Sequence, residues 1–108
     1  MKETSESISQ WAHSTFGPVT TFRSAARANT EMAELLTKIA KFNGDFSVEA
    51  CEEVGFEVAD VVICLARLSH MFHRDLFVDV DKKMAVNRKR EWLVDGSGCG
   101  QHVEKRRH

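Results

Sequence analysis

One apolar stripe constrains this chain more than any other feature: Val54, Val58, Val61, Val62, Leu65, Leu68 and Phe72 recur at helical spacing, with Glu57 and Asp60 in their midst. Residues three apart lie on one face of a helix, so these two carboxylates leave a single turn in the same direction. Neither has a Lys or Arg three or four positions away, and Glu53, one turn earlier, adds another negative charge. Phe56, Val58, Ala59, Val61, Val62 and Ile63 surround the pair, and burying unpaired charge there would cost several kcal/mol. The compensating charge must come from outside this helix.

A second acidic pair, Glu31-Met-Ala-Glu34, precedes the first with 22 residues (35 to 56) between them. Taken alone it reads as a solvated face, because Arg27 can pair with Glu31 and Lys38 with Glu34 at helical spacing. Taken with Glu57 and Asp60, it lets two helices present carboxylates to one divalent cation. An all-oxygen donor set favours Mg²⁺, with Mn²⁺ as the alternative. A di-iron bundle would require Glu-x-x-His on two helices, which the sequence lacks. His70 and His73 read as ordinary polar residues near a helix end, where the dipole favours cations, so zinc is not indicated.

The boundaries fall at local signals. A short helix over 5–16, with Ile8, Trp11 and Ala12 along one side, stops at Gly17-Pro18. A long helix is expected from Thr21 to Phe42, capped by Asn43-Gly44. Ser47 caps the next, which carries Glu49, Glu52 and Glu53 where the dipole favours negative charge and runs to about His73. Asp79 is the expected cap of a third long helix reaching Trp92. Beyond it, three glycines between Gly96 and Gly100 predict a turn and a loose tail. The expected architecture is all-α: a bundle of three long helices plus a short amino-terminal one, completed by oligomerisation. Residues 1–92 form the expected domain and 93–108 a glycine-rich turn and basic tail.

Composition bounds the function. The net charge of -1 gives no general attraction to nucleic acid or anionic membrane, yet residues 45–60 carry only acidic charge and 82–90 are strongly cationic. The ending EKRRH has no interleaved aromatics, so nucleic acid is not an expected partner. No stretch has signal-peptide or membrane-spanning character. Cys51, Cys64 and Cys99 form neither a disulfide framework nor a zinc knuckle, which points to a reducing, cytoplasmic setting. The glycine-rich GSGCGQ is no Walker loop, since GxxxxGK[ST] is absent.

With these residues in view, the chain resembles the MazG-like all-α nucleotide pyrophosphohydrolases. That family carries ExxE on one helix and ExxD on the next, matched here by Glu31/Glu34 and Glu57/Asp60. Its following KxxxNxxRxW segment is matched by Lys83, Asn87, Arg90 and Trp92. The resemblance spans residues 8–92 and implies metal-dependent hydrolysis of a nucleoside or deoxynucleoside triphosphate to the monophosphate and pyrophosphate, a house-cleaning role. On this reading Glu31, Glu34, Glu57 and Asp60 hold metal, and Glu34 or Glu57 takes a proton. Lys83, Asn87 and Arg90 grip the triphosphate, and the segment with Trp11, His13 and Phe16 meets the base. The family's bundles commonly assemble as homodimers or homotetramers. The competing expectation is a non-enzymatic helical protein-interaction module, which would show no metal response.

Overall fold

The computed structural model describes residues 2–103. Its elements are α1 (Ser5–Phe16), α2 (Thr21–Ala40), α3 (Val48–Met71) and α4 (Leu76–Lys89), followed by two short strands, β1 (Trp92–Val94) and β2 (Gly100–His102). The expected all-α class holds. The basic ending at 104–108 lies outside the described residues.

Each helix starts where a side chain accepts a backbone N–H that the helix leaves unpaired. Thr4 accepts from Ser7 N, and Ser7 Oγ returns a bond to Thr4, closing a capping box before α1. Thr20 accepts from Arg23 N before α2, and Ser47 accepts from Ala50 N before α3, as expected for that serine. The Asp79 expectation is corrected: with Asp79 as cap the helix would begin at residue 80, and α4 opens four residues earlier, at Leu76. Asp75 Oδ1 accepts the Phe77 N–H at 2.9 Å and Ser5 Oγ accepts the Leu76 N–H at 2.7 Å, so the first-turn donors are already satisfied there.

The helix ends also differ from expectation. α2 finishes at Ala40, because Lys41 N–H and Phe42 N–H turn back on carbonyls three residues earlier and tighten the last turn. Asn43-Gly44 therefore lies in the loop that follows, where the Phe42 and Phe46 rings meet at 5.1 Å. α3 finishes at Met71, not His73. His73 takes φ 59°, its N–H reaches His70 O and the Arg74 N–H reaches Ser69 O. This is a Schellman closure with histidine where glycine is usual. α4 stops before Trp92: the Arg90 N–H turns back on Asn87 O, three residues earlier, and the Trp92 indole Nε1–H donates to the same carbonyl at 2.9 Å.

Two compact units divide the chain, residues 1–77 and 78–108. In the first, α3 packs against both α1 and α2. Its buried apolar side chains are Ile8, Ala12, Ala28, Leu35 and Ala66, joined by buried Ser5, Ser24 and Glu31. Many larger apolar residues stay exposed, Phe16, Phe22, Phe46, Leu36 and Phe56 among them. In the second unit the expected loose segment is instead a hairpin: β1 and β2 pair antiparallel, with Trp92 opposite His102 and Val94 opposite Gly100. The intervening turn is knitted by Asp95, which accepts the Ser97 N–H, and by Ser97 Oγ, which accepts the Cys99 N–H. No helix of the described residues is long and apolar enough to cross a membrane.

Candidate functional site

Three of the four expected carboxylates converge. One oxygen each from Glu31 on α2 and from Glu57 and Asp60 on α3 lie within 4.8 Å of one another. Glu31 is buried, Glu57 half-buried and Asp60 exposed, so the cluster grades from the helix interface to solvent. Glu34, one turn further along α2, is exposed and outside this cluster.

Two cations from α2 bracket the group. Arg27 Nη2 lies 2.6 Å from Glu31 Oε1, and Lys38 Nζ lies 3.0 Å from Glu57 Oε1. Lys38 thus serves Glu57 across the helix interface, not its expected neighbour Glu34. The hydrogen bond and charge of Glu57, helped by Glu53 and Asp60, raise the Lys38 pKa above its ordinary value. Asp60 has no ion pair of this kind among the described residues.

The donor set fits a hard divalent cation. Bonds of about 2.0–2.1 Å in octahedral geometry put two oxygens on one ion at most about 4.2 Å apart, and the three oxygens here lie within 4.8 Å of one another. Burial of Glu31 behind its arginine fixes one donor, while exposed Asp60 leaves a side open to water or an incoming anion.

A groove of about 840 Å³ adjoins the cluster. Glu31 and Asp60 line it together with Ile63 and Cys64, Arg23, Arg27 and Arg67 add positive charge, and Trp11, Phe16 and Val19 supply an apolar wall. Trp11 and Phe16 meet edge to face at 5.4 Å. Trp11 is 55% exposed, so its indole faces the groove more than the core. His13, expected beside these rings, instead lines a separate depression with Ser9, Gln10, Ser14 and His70. Burial raises the Cys64 thiol pKa, with Glu31 adding to the shift.

The cationic segment belongs to the second unit. Lys83 is exposed on α4, Asn87 is partly buried with its Oδ1 lacking a hydrogen-bond partner among the described residues, and Arg90 follows the helix end. Trp92 packs edge to face with His102 at 6.2 Å. Sequence reasoning did not single out Arg23 or Arg67. The signal for Arg67 was its place seven residues after Asp60, two turns along the same face of one helix.

No family model matches the chain. It is 32% identical over 96 residues to a dATP/dGTP diphosphohydrolase of Salmonella phage PMBT28. That match takes in 89% of this chain but 29% of the phage protein, so the chain spans under a third of its curated relative. Among solved structures, the cyanophage S-2L MazG-like pyrophosphohydrolase superposes with a TM-score of 0.68 at 22% identity, covering 94% of this chain and 91% of that one. The cyanophage protein was solved bound to dGDP and three catalytic Mn²⁺ ions per active site.

Proposed function

We propose that this chain, which has the fold of the MazG-like pyrophosphohydrolases, belongs to that family and hydrolyses a nucleoside or deoxynucleoside triphosphate to the monophosphate and pyrophosphate. The convergence of Glu31, Glu57 and Asp60 on one point carries the reading. The phage relative acts on dATP and dGTP by its name, and the cyanophage protein binds dGDP and Mn²⁺; purine deoxynucleotides are therefore the first substrates to try.

Glu31, Glu57 and Asp60 would hold Mg²⁺ or Mn²⁺, and such an ion supplies charge neutralisation at phosphate oxygens and lowers the pKa of water. The chain's own groups do the rest. Arg27 holds the Glu31 carboxylate in place, which fixes a ligand before substrate arrives. Glu34, outside the cluster yet one turn from Glu31, is free to accept a proton from water, and Glu57 is the alternative acceptor. Arg23 sets positive charge along the groove for a polyanion. Trp11 and Phe16 offer a base an apolar wall. Lys83, Asn87 and Arg90 are assigned to the triphosphate by family resemblance.

We further propose that the chain works as a homodimer or homotetramer in a reducing, cytoplasmic setting, with 1–92 as the working domain. The exposed apolar side chains and the small buried core support association. Three free cysteines suit the compartment.

The test is product analysis. With Mn²⁺ or Mg²⁺, a panel of triphosphates should yield monophosphate and pyrophosphate, and Asp60→Asn should abolish this. Release of orthophosphate alone, or no turnover together with no calorimetric response to either metal, would favour the interaction-module reading. Light scattering that found a monomer would remove the assembly proposal without touching the chemistry.

A further inference from the structure

The connection between α1 and α2 is held from a distance. Gly17 follows Phe16 directly and adopts φ 84°, ψ -173°, a conformation essentially confined to glycine. Its N–H closes α1 on His13 O, and its carbonyl accepts a 2.6 Å bond from Arg67 Nη2 on α3. This bond spans 50 residues of sequence and is partly buried. A guanidinium donor makes it stronger than a neutral pair, and its planar fork fixes direction. Arg67 also lines the groove that contains Trp11, Phe16, Glu31 and Asp60.

We propose that Arg67 is a positioning residue for substrate: through Gly17 it ties the Trp11–Phe16 wall to the helix that carries Glu57 and Asp60. The wall and the carboxylates then keep one spacing, which sets how the base sits when the phosphates reach the cluster. Glycine at position 17 is part of the device, because only its backbone aims the carbonyl at the guanidinium. The inference rests on the proposed nucleotide chemistry, but it concerns the base end of the groove and not the metal end.

The experiment compares wild type with Arg67→Ala, Arg67→Lys, Gly17→Ala, Trp11→Ala and the Trp11→Ala/Arg67→Ala double variant, across purine and pyrimidine deoxynucleoside triphosphates. Arg67→Ala should raise KM for the preferred base about tenfold, the scale of one charge-assisted hydrogen bond. It should leave kcat within about twofold, the limit set by a contact remote from the reacting atoms, and leave Mn²⁺ affinity by calorimetry unchanged. Discrimination between bases should shrink by a similar factor. Gly17→Ala should reproduce the change, Arg67→Lys should restore part of it, and the double variant should be no worse than Trp11→Ala alone, since both act through one wall.

Equal losses for every base, a fall in kcat with KM constant, or additive effects of Trp11→Ala and Arg67→Ala would overturn the proposal. Should Arg67→Ala fail to fold, the Gly17→Ala and Arg67→Lys arms decide it in the same terms. A wild type that turns over no triphosphate would instead defeat the functional reading beneath.

Discussion

Replacing Glu57 by Gln separates a metal ligand from a structural ion pair, because the two roles predict opposite signs. At 4.8 Å, the upper bound on the separations in this cluster, two carboxylate charges repel by about 0.9 kcal/mol in bulk water and about 3.5 kcal/mol at an effective dielectric of 20. Glu57 faces both Glu31 and Asp60, so its charge works against the metal-free fold twice. Its ion pair with the half-exposed Lys38 ammonium is screened and holds two flexible side chains. Glu57→Gln should therefore leave stability in EDTA unchanged or raise it by about 1 kcal/mol, the lower end of that repulsion.

Added Mn²⁺ reverses the comparison. At a hundred times its dissociation constant an ion adds about 2.7 kcal/mol to a protein that binds it only when folded. In a domain of this size that is a gain of about 11–22 °C in Tm. If the substitution weakens binding a hundredfold, the same Mn²⁺ concentration adds only about 0.4 kcal/mol, or roughly 2–3 °C. Circular-dichroism melts with EDTA and with MnCl₂, at fixed protein concentration, read both quantities. A variant that keeps the full Mn²⁺ gain, or loses more than about 1 kcal/mol in EDTA, would show that Glu57 is not a ligand held at a cost to the fold.

Ser5→Ala should cost about 1–3 kcal/mol in urea unfolding, because the hydroxyl of fully buried Ser5 accepts the Leu76 N–H; a loss under about 0.5 kcal/mol would refute that anchoring. His73→Gly should stabilise by about 0.5–1 kcal/mol, since the residue sits at φ 59° in a closure that glycine fits without a Cβ penalty, and a destabilised variant would contradict it. The raised Cys64 pKa and its partial burial predict that iodoacetamide modifies exposed Cys51 and Cys99 first, with Cys64 reacting later and gaining more from a rise in pH. A thiol whose folded pKa is raised contributes stability below its unfolded pKa, and that contribution is lost as pH climbs through the folded value. Peptide mapping after timed alkylation across alkaline pH checks the order, and early labelling of Cys64 would reverse it.

Much of this was legible because it is local. Gly17-Pro18 and Ser47 mark their boundaries through interactions within four residues, so a linear reading finds them. The start of α4 is different in kind. Asp75 and Asp79 both suit a helix N-terminus, and the choice is made by Ser5, whose hydroxyl takes the Leu76 N–H from 71 residues away. Likewise nothing in the composition of 87–92 says that the Trp92 indole and the Arg90 N–H will share Asn87 O where the helix ends. Strands of three residues are too short for alternation to register, so the glycines of 96–100 announced a turn without its hairpin.

The candidate site follows the same division. Spacing placed Glu57 and Asp60 on one face, and the absence of cations on their own helix required a charge from elsewhere; Lys38 of α2 supplies one for Glu57. Yet spacing treats Glu31 and Glu34 as equivalent, and they are not. A step of three residues turns about 60° short of a full circle, enough to leave one carboxylate buried at the α2–α3 interface and the other in solvent. On the proposed function the same angular shortfall separates the two roles, since a ligand must be held whereas a base must reach water. An ExxE pair is therefore better read as two neighbouring positions with different solvation than as two copies of one ligand. In this chain that difference puts Glu31 in the cluster and leaves Glu34 exposed outside it, which is why the proposed function gives Glu34 the proton.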